Sequence, residues 1–566
     1  MDTPLSQPPP GRRRKVRKGT FSCWECKRRK RRCEFKPGSS SACVSCQHRG
    51  LPCLSQEEYE PQTGSEQVSE RIYHVENLIG VLLQQRRPQH GAIGDTSGLT
   101  IPPSPSGSSL SITTYLYSIL PSPSDTSSIL SHGNSFRMPR WEGLTRSAPL
   151  SGPPPIEAQP IWYGRRLMHL ALRLQDSNIP GWDASKYAQI VAHCVSSIDA
   201  LVSSSDGIET LMLEAMYYVN DGKLQEAWLR CRRAMSIAQL LGLDRAGWTN
   251  NSILRRLIFG DRVMSLELGV AHFGITNYGS LDSVDPIARL DRMHVITATR
   301  MIERNLRIMS GSLDSVKTET LAIDKIMKKV MNDLPSGWWS ASIKKPLSTL
   351  PEENAMEETM KLISQLNHYW LLIQLHQPLI ILDLCCPVND GSNSYSRTIL
   401  ASSCRQVLSR FLLVRKYHGG GLYRGADSKA VSASIGLLLA HIDGHRDSTD
   451  NALEHLRPQD LDLLRDSLDL FQDLSRPELE RSTVQGLLAL ESEAASGTYY
   501  MMSTAVGDSL RLTIPYFGTM SLIPRPPGVE YGGSDSLSLS ELPEFQPGGF
   551  QLEDAILQPG QGFSSI

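Results

Sequence analysis

The stretch CWECKRRKRRC, Cys23 to Cys33, sets six consecutive cations, Lys27 to Arg32, between thiols. A second stretch, CVSCQHRGLPC, Cys43 to Cys53, repeats the thiol spacing without that run of charge. Together they read C-x2-C-x6-C-x9-C-x2-C-x6-C, so the unit C-x2-C-x6-C occurs twice. C-x2-C places two sulfurs on a tight turn, close enough to chelate one tetrahedral ion. In a reducing cell, thiolate-rich sites of this spacing favour zinc over disulfides. Six thiolates satisfy two zinc ions only if two sulfurs bridge, which leaves a cluster charge of about −2. That charge offsets part of the repulsion among the six cations, and a helix starting at Cys26 points its positive end at the thiolates. The second half has Arg49 as its only permanent cation, so only the first is equipped to grip phosphates. A purely structural zinc knot has no use for so dense a basic run.

Outward from the cysteines, the charge is lopsided. The 566 residues carry a net charge of −1. Residues 1–54 hold 14 Lys/Arg against Asp2, Glu25 and Glu34, a balance of +11, which leaves −12 for the rest. A basic head on an acidic body calls for a polyanion partner for the head alone. The basic arm GRRRKVRK ends at Lys18 (residues 1–18) and serves as a nuclear import signal or as extra phosphate contacts. Both readings place the protein in the nucleus. The N-terminus has no apolar h-region, which predicts no secretory signal. YWLLIQLHQPLIILDLCC is interrupted by Gln374, His376, Gln377, Pro378 and Asp383. It predicts a buried helix that breaks at the proline, and no membrane partner.

The cysteine pattern with its basic run resembles the fungal binuclear zinc cluster family of transcription factors, over residues 19–54. The resemblance implies that Cys23 and Cys43 bridge two Zn2+ ions. Cys26 and Cys33 then complete one site, and Cys46 and Cys53 the other. It also implies that the helix carries Lys30, with Arg29 beside it, to a CGG triplet in the major groove, where a cation meets guanine O6 and N7. Lys27, Arg28 and Arg32 then serve phosphates. Pro37 lies farther from the fourth cysteine than is usual in the family, so no cis peptide is assigned to it.

A polar linker, residues 55–66, precedes QVSERIYHVENLIGVLLQQ. Val68, Ile72, Val75, Ile79 and Leu82 are spaced 4, 3, 4, 3, a heptad seam that predicts a short coiled coil over 67–86 and hence a homodimer. The seam is barely two heptads long and includes Gly80, which costs ~1 kcal/mol against alanine. An amphipathic helix docked on its own chain is the competing reading. In residues 88–160, 34 of 73 positions are Pro, Ser or Gly, which predicts disorder. ITTYLYSIL, 112–120, is the exception, a short helix able to dock. Ser104 and Ser122 precede prolines and offer phosphorylation sites.

From 161 to 480 the apolar spacing is helical, which makes the fold class mainly α: a zinc-cluster DNA-binding domain, a short coiled coil, a disordered linker and a large all-helical regulatory domain. RAMSIAQLLGLDR (233–245), RRLIFGDRVMSLELG (255–269) and YWLLIQLHQPLIILD (369–383) resemble the fungal transcription-factor middle domain, although Val270 and Ala271 replace the usual Arg-Pro and only Phe259 remains of an aromatic pair. EAMYYVNDGKLQEAWLRCRRAMSIAQLLGL resembles one tetratricopeptide hairpin with no repeat. In the C-terminal region, 481–566, the tail from Tyr531 has five acids and no Lys or Arg, interleaved with Leu537, Leu539, Leu542, Phe545, Phe550 and Leu552. This suits an activation segment with transcription co-activators as partners.

His441, Asp443 and His445 do not share one helical face, and His193–Cys194 and Cys385–Cys386 have no third ligand nearby. Asp261 and Arg262 read as a buried structural pair. No catalytic residues are assigned. The alternatives are a tetratricopeptide-like scaffold or an enzyme bearing a zinc-cluster nucleic-acid-binding module. The reading is a zinc-dependent, sequence-specific DNA-binding regulator of RNA polymerase II transcription, and the resemblance extends this to secondary-metabolite pathways.

Overall fold

The computed structural model describes Cys23, Cys26, residues 33–34, 42–49 and Cys53 of the cysteine-rich segment. It further describes residues 109–131, 158–176, 179, 181–245, 252–274, 286–310, 315–340, 352–385, 393–418, 425–446, 451–471, 477–503 and 510–524. The basic arm, the heptad seam and the acidic tail lie outside the described residues. The chain divides into two units, Met1–Leu99 and Thr100–Ile566. In the first, helix α1 (Val44–Gln47) begins at the second C-x2-C.

The second unit is mainly α, as the periodicity predicts. Two helices, α2 (Ser109–Ser118) and α3 (Pro123–Ser131), occupy part of the stretch expected to be disordered. Composition averaged over 88–160 hides a local apolar run: Ile112, Leu116 and Ile129 are buried in the same core as Tyr163 and Leu167. Ser122, next to Pro123, accepts the Asp125 N–H at 3.1 Å and so caps α3.

The first core lies among α4 (Pro160–Asp176), α5 (Ala184–Val191), α6 (Ser205–Asn220), α7 (Leu224–Leu240) and α8 (Ser252–Leu268), around Leu167, Ile208, Leu211, Ala234 and Ile258. Caps set the helix starts. Asp183 accepts the Ser185 N–H at 2.8 Å, and Ser204 accepts the Gly207 N–H at 3.0 Å. Gly207 sits against the Val202 carbonyl with no room for a Cβ. α6 and α7 form the expected helical hairpin around Asp221–Gly222–Lys223, with Gly222 at φ 72°.

The second core lies among α9 (Pro286–Met309), α10 (Val316–Asn332), α11 (Glu352–Cys385), α12 (Ser394–His418), α13 (Gly425–Gly444), α14 (Arg457–Leu470) and α15 (Pro477–Ala495), around Trp370, Ile373, Phe411, Leu437 and Phe471. Strands β1 (Tyr500–Ser503), β2 (Arg511–Ile514) and β3 (Gly518–Pro524) form an antiparallel sheet in the order β1-β3-β2, pairing Met502 with Leu522 and Leu512 with Met520. Leu512 and Ile514 face this core while Arg511 and Thr513 face solvent, so the expected domain end at 480 falls inside α15 and the packed body continues to 524.

The expected break at Pro378 does not occur, because α11 runs through it. Proline lacks the N–H that would bond the carbonyl four residues back, Gln374 O. Arg304 of α9 supplies a donor there: its Nη2 donates to Gln374 O at 3.3 Å, and its Nη1 donates to the next carbonyl, Leu375 O, at 2.7 Å.

At the far end of α8, Gly269 has φ 70°, and a Cβ there would lie 2.6 Å from the Tyr516 nitrogen. Tyr516, in the β2–β3 turn, donates its hydroxyl to Ser265 O at 2.9 Å and Val270 O at 3.2 Å, which satisfies carbonyls at the helix end.

Candidate metal centre and nucleic-acid interface

All six cysteines of the N-terminal segment come together. Cys23 Sγ lies 3.8 Å from Cys43 Sγ and 3.6 Å from Cys46 Sγ, and Cys26 Sγ lies 3.6 Å from Cys43 Sγ. They form two groups of four, Cys23, Cys26, Cys33, Cys43 and Cys23, Cys43, Cys46, Cys53, whose sulfurs lie within 4.8 Å of one another. Cys23 and Cys43 are common to both groups. The sequence repeat recurs in the backbone: the Cys23 N–H points at Cys33 Sγ at 3.4 Å, and the Cys43 N–H at Cys53 Sγ at 3.2 Å. The Val44 N–H donates to Glu34 O at 2.9 Å and ties one half to the other.

The thiols respond to this crowding in opposite directions. Burial and its sulfur neighbours push Cys33 up to about 12. Burial also opposes ionisation of Cys43, but hydrogen bonds from the Cys46 N–H and from the thiols of Cys46, Cys26 and Cys33 draw it down to about 6. Cys26, Cys46 and Cys53 are raised, burial being the first cause. Six thiolates therefore cannot coexist here without compensating cations. Two four-sulfur groups sharing two members fit two tetrahedral Zn2+ ions, which supply four positive charges between them and need no further ligand. Zinc held this way orders a segment too small to have another core.

Lys27, Arg28, Arg29, Lys30 and Arg32, assigned to DNA, lie outside the described residues, as do Val68, Ile72, Val75, Ile79 and Leu82 of the seam. Asp261 and Arg262 are both fully buried and paired with each other. Asp261 also pairs with Arg232 at 2.7 Å and accepts the Phe273 N–H at 2.9 Å, a structural network. His193 is exposed while Cys194 is buried, so they do not act together.

A second titratable cluster joins helices that sequence spacing does not connect. His441 and His445 lie one turn apart on and just beyond α13, and with Glu491 of α15 they bring three possible ligand atoms within 4.8 Å. His445 Nε2 lies 2.9 Å from Glu491 Oε1, and His441 Nε2 lies 2.8 Å from Asp460 Oδ2. Arg457 grips both oxygens of Glu491 at 2.6 and 2.9 Å, and Arg405 grips both of Asp460 at 2.6 and 2.7 Å. Each carboxylate is thus neutralised by its own guanidinium, and the cluster ties α12 to α15 as an ion-pair network. Spacing over residues 441–445 does not display it because Asp460 and Glu491 come from later helices, although His441 and His445, four apart, do lie on one face and only Asp443 points elsewhere.

Among the described residues, no helix is long and apolar enough to cross a membrane. Residues 21–61 match the fungal Zn(2)-Cys(6) binuclear cluster domain. Over 600 aligned residues the chain is 29% identical to a dehydrocurvularin biosynthesis regulator of Aspergillus terreus, covering 90% of this chain and 80% of that protein. A dehydrocurvularin biosynthesis regulator of Alternaria cinerariae is 28% identical, covering 92% and 79%. Transcription factor sdnS of Sordaria araneosa is 26% identical, covering 91% and 81%. No solved structure matches the chain.

Proposed function

We propose that this zinc-cluster transcription factor reads CGG-type half-sites in duplex DNA as a homodimer and regulates a secondary-metabolite pathway in the nucleus. The observation that carries the reading is the pair of four-sulfur groups sharing Cys23 and Cys43, with six cations between the second and third ligands. Zinc fixes the turn at each C-x2-C. A helix entering at Cys26 then carries Lys30 and Arg29 toward base edges, and Lys27, Arg28 and Arg32 toward phosphates. The zinc ligands are Cys26 and Cys33 on one ion, Cys46 and Cys53 on the other, with Cys23 and Cys43 bridging. The named relatives are biosynthesis regulators and transcription factors, which supports pathway control and speaks against an enzyme. The seam Val68, Ile72, Val75, Ile79, Leu82 pairs two chains, and the acidic tail contacts transcription co-activators.

Lys30→Ala tests the readout. It reduces discrimination between CGG-containing and scrambled duplexes by ~1–3 kcal/mol, whereas Arg14→Ala weakens both alike and lowers the salt dependence. Competition binding at two salt concentrations separates them. An unchanged site preference in Lys30→Ala would remove the assigned base contact.

A further inference from the structure

Outside the zinc cluster, Arg292 on α9 is a buried cation with unsatisfied donors. It is 3% exposed, and its Nε and Nη1 have no hydrogen-bond partner. The charge that bears on it is another cation, Arg255 of α8. No carboxylate among the described residues pairs with Arg292. Its sequence neighbour Asp291 faces solvent, and Arg289 is held by Asp333 at 3.2 Å. A secluded guanidinium without a counter-ion is costly, and a second guanidinium beside it adds to the cost.

The helices around it accentuate the positive charge. Arg262, seven residues after Arg255, donates its Nε to Thr299 Oγ1 at 3.0 Å, and Thr299 is seven residues after Arg292. α8 and α9 therefore run in the same direction, with their N-terminal halves side by side. Neither helix has an acid in its first turn, where helices ordinarily place one. The backbone dipoles at this end of the pair favour an anion, although Asp285 immediately precedes Pro286 in the sequence.

We propose that Arg292 and Arg255, between the N-terminal halves of α8 and α9, form a binding site for the oxyanion group of a small metabolite, a carboxylate or a phosphate. A planar guanidinium offers such a group two parallel N–H bonds. The ligand supplies a counter-ion that no carboxylate among the described residues gives Arg292, so its binding stabilises the regulatory domain. The proposal does not rest on the DNA-binding reading, and its test uses no DNA.

The test is thermal unfolding of the full, zinc-loaded chain, followed by far-ultraviolet circular dichroism. Succinate and inorganic phosphate are titrated separately against chloride at matched ionic strength. The expected result is a saturable rise in melting temperature with one or both oxyanions and none with chloride. A response to succinate alone identifies a carboxylate ligand, and one to phosphate alone a phosphorylated ligand. Arg292→Gln abolishes the response. Arg255→Gln, at a half-buried position, weakens it about tenfold and serves where Arg292→Gln does not fold. Absence of a saturable shift in the wild type, or the same shift in a folded variant, would overturn the site.

Discussion

Glu491 illustrates how a buried charge is kept in this molecule. Burial alone opposes ionisation of its carboxyl, but the hydrogen bond with His445 and the two-pronged grip of Arg457 hold it at about 2. Its pKa is depressed in the folded state, so its stabilisation is present above the unfolded value near 4.5 and is lost as the pH falls through about 2. Glu491→Gln leaves the half-buried Arg457 without its counter-charge and costs about 3 kcal/mol at neutral pH. The cost narrows between pH 4.5 and 2, where the wild type gives up the same interaction. Urea unfolding of both forms at neutral and acid pH checks this, and a gap independent of pH would contradict it. Residue spacing displays the six cysteines because their partners lie within one short segment. It does not display Glu491 or Asp460, which reach the histidines only after α14 and α15 have packed.

At the scale of elements, α11 shows what local propensity misses. Pro378 predicts a break, and tertiary contact overrides it, because Arg304 donates to the carbonyls of Gln374 and Leu375. Arg304→Met removes those donors and destabilises the domain by about 3 kcal/mol. Pro378→Ala restores an intrahelical donor for Gln374 O, so the double variant loses less than Arg304→Met alone. A double-mutant cycle by denaturant unfolding measures this, and strict additivity would sever the link between arginine and proline. The seam over 67–86 belongs to the same scale. Ile72 and Ile79 occupy successive a positions, and replacing both with Asp puts charge into an apolar interface at a cost of several kcal/mol per ion. A 1–90 fragment sediments as a dimer at ~100 μM, where pairing of about −5.5 kcal/mol registers, and the double variant sediments as a monomer with the same zinc content. A monomeric wild-type fragment would assign the seam to a docked helix and leave dimer contacts to later residues.

The whole molecule joins parts that differ in how openly the sequence displays them. The six-cysteine cluster was legible from spacing, since C-x2-C-x6-C repeats and its geometry repeats with it, Cys23 to Cys33 as Cys43 to Cys53, whereas the choice of Cys23 and Cys43 as the shared pair came from the family resemblance. The helical body was legible from periodicity, because helices such as α7 bury one face, with Ala227, Cys231, Ala234 and Ala238, and leave the other to solvent. Less legible were α2 and α3, since Ile112, Leu116 and Ile129 are diluted by serine and proline around them. The C-terminal sheet was hidden for a related reason: three short strands complete a helical core and form none of their own. Arg292 gives no sign in the sequence at all, because a buried arginine whose Nε and Nη1 lack partners is recognised only once its surroundings are known. Metal analysis of the purified full chain shows whether six cysteines hold two zinc ions through two shared sulfurs. The expected ratio is two zinc ions per chain, falling to none in Cys43→Ala, which removes a member of both groups. A ratio of one, or zinc retained in full by Cys43→Ala, would contradict the shared-sulfur cluster.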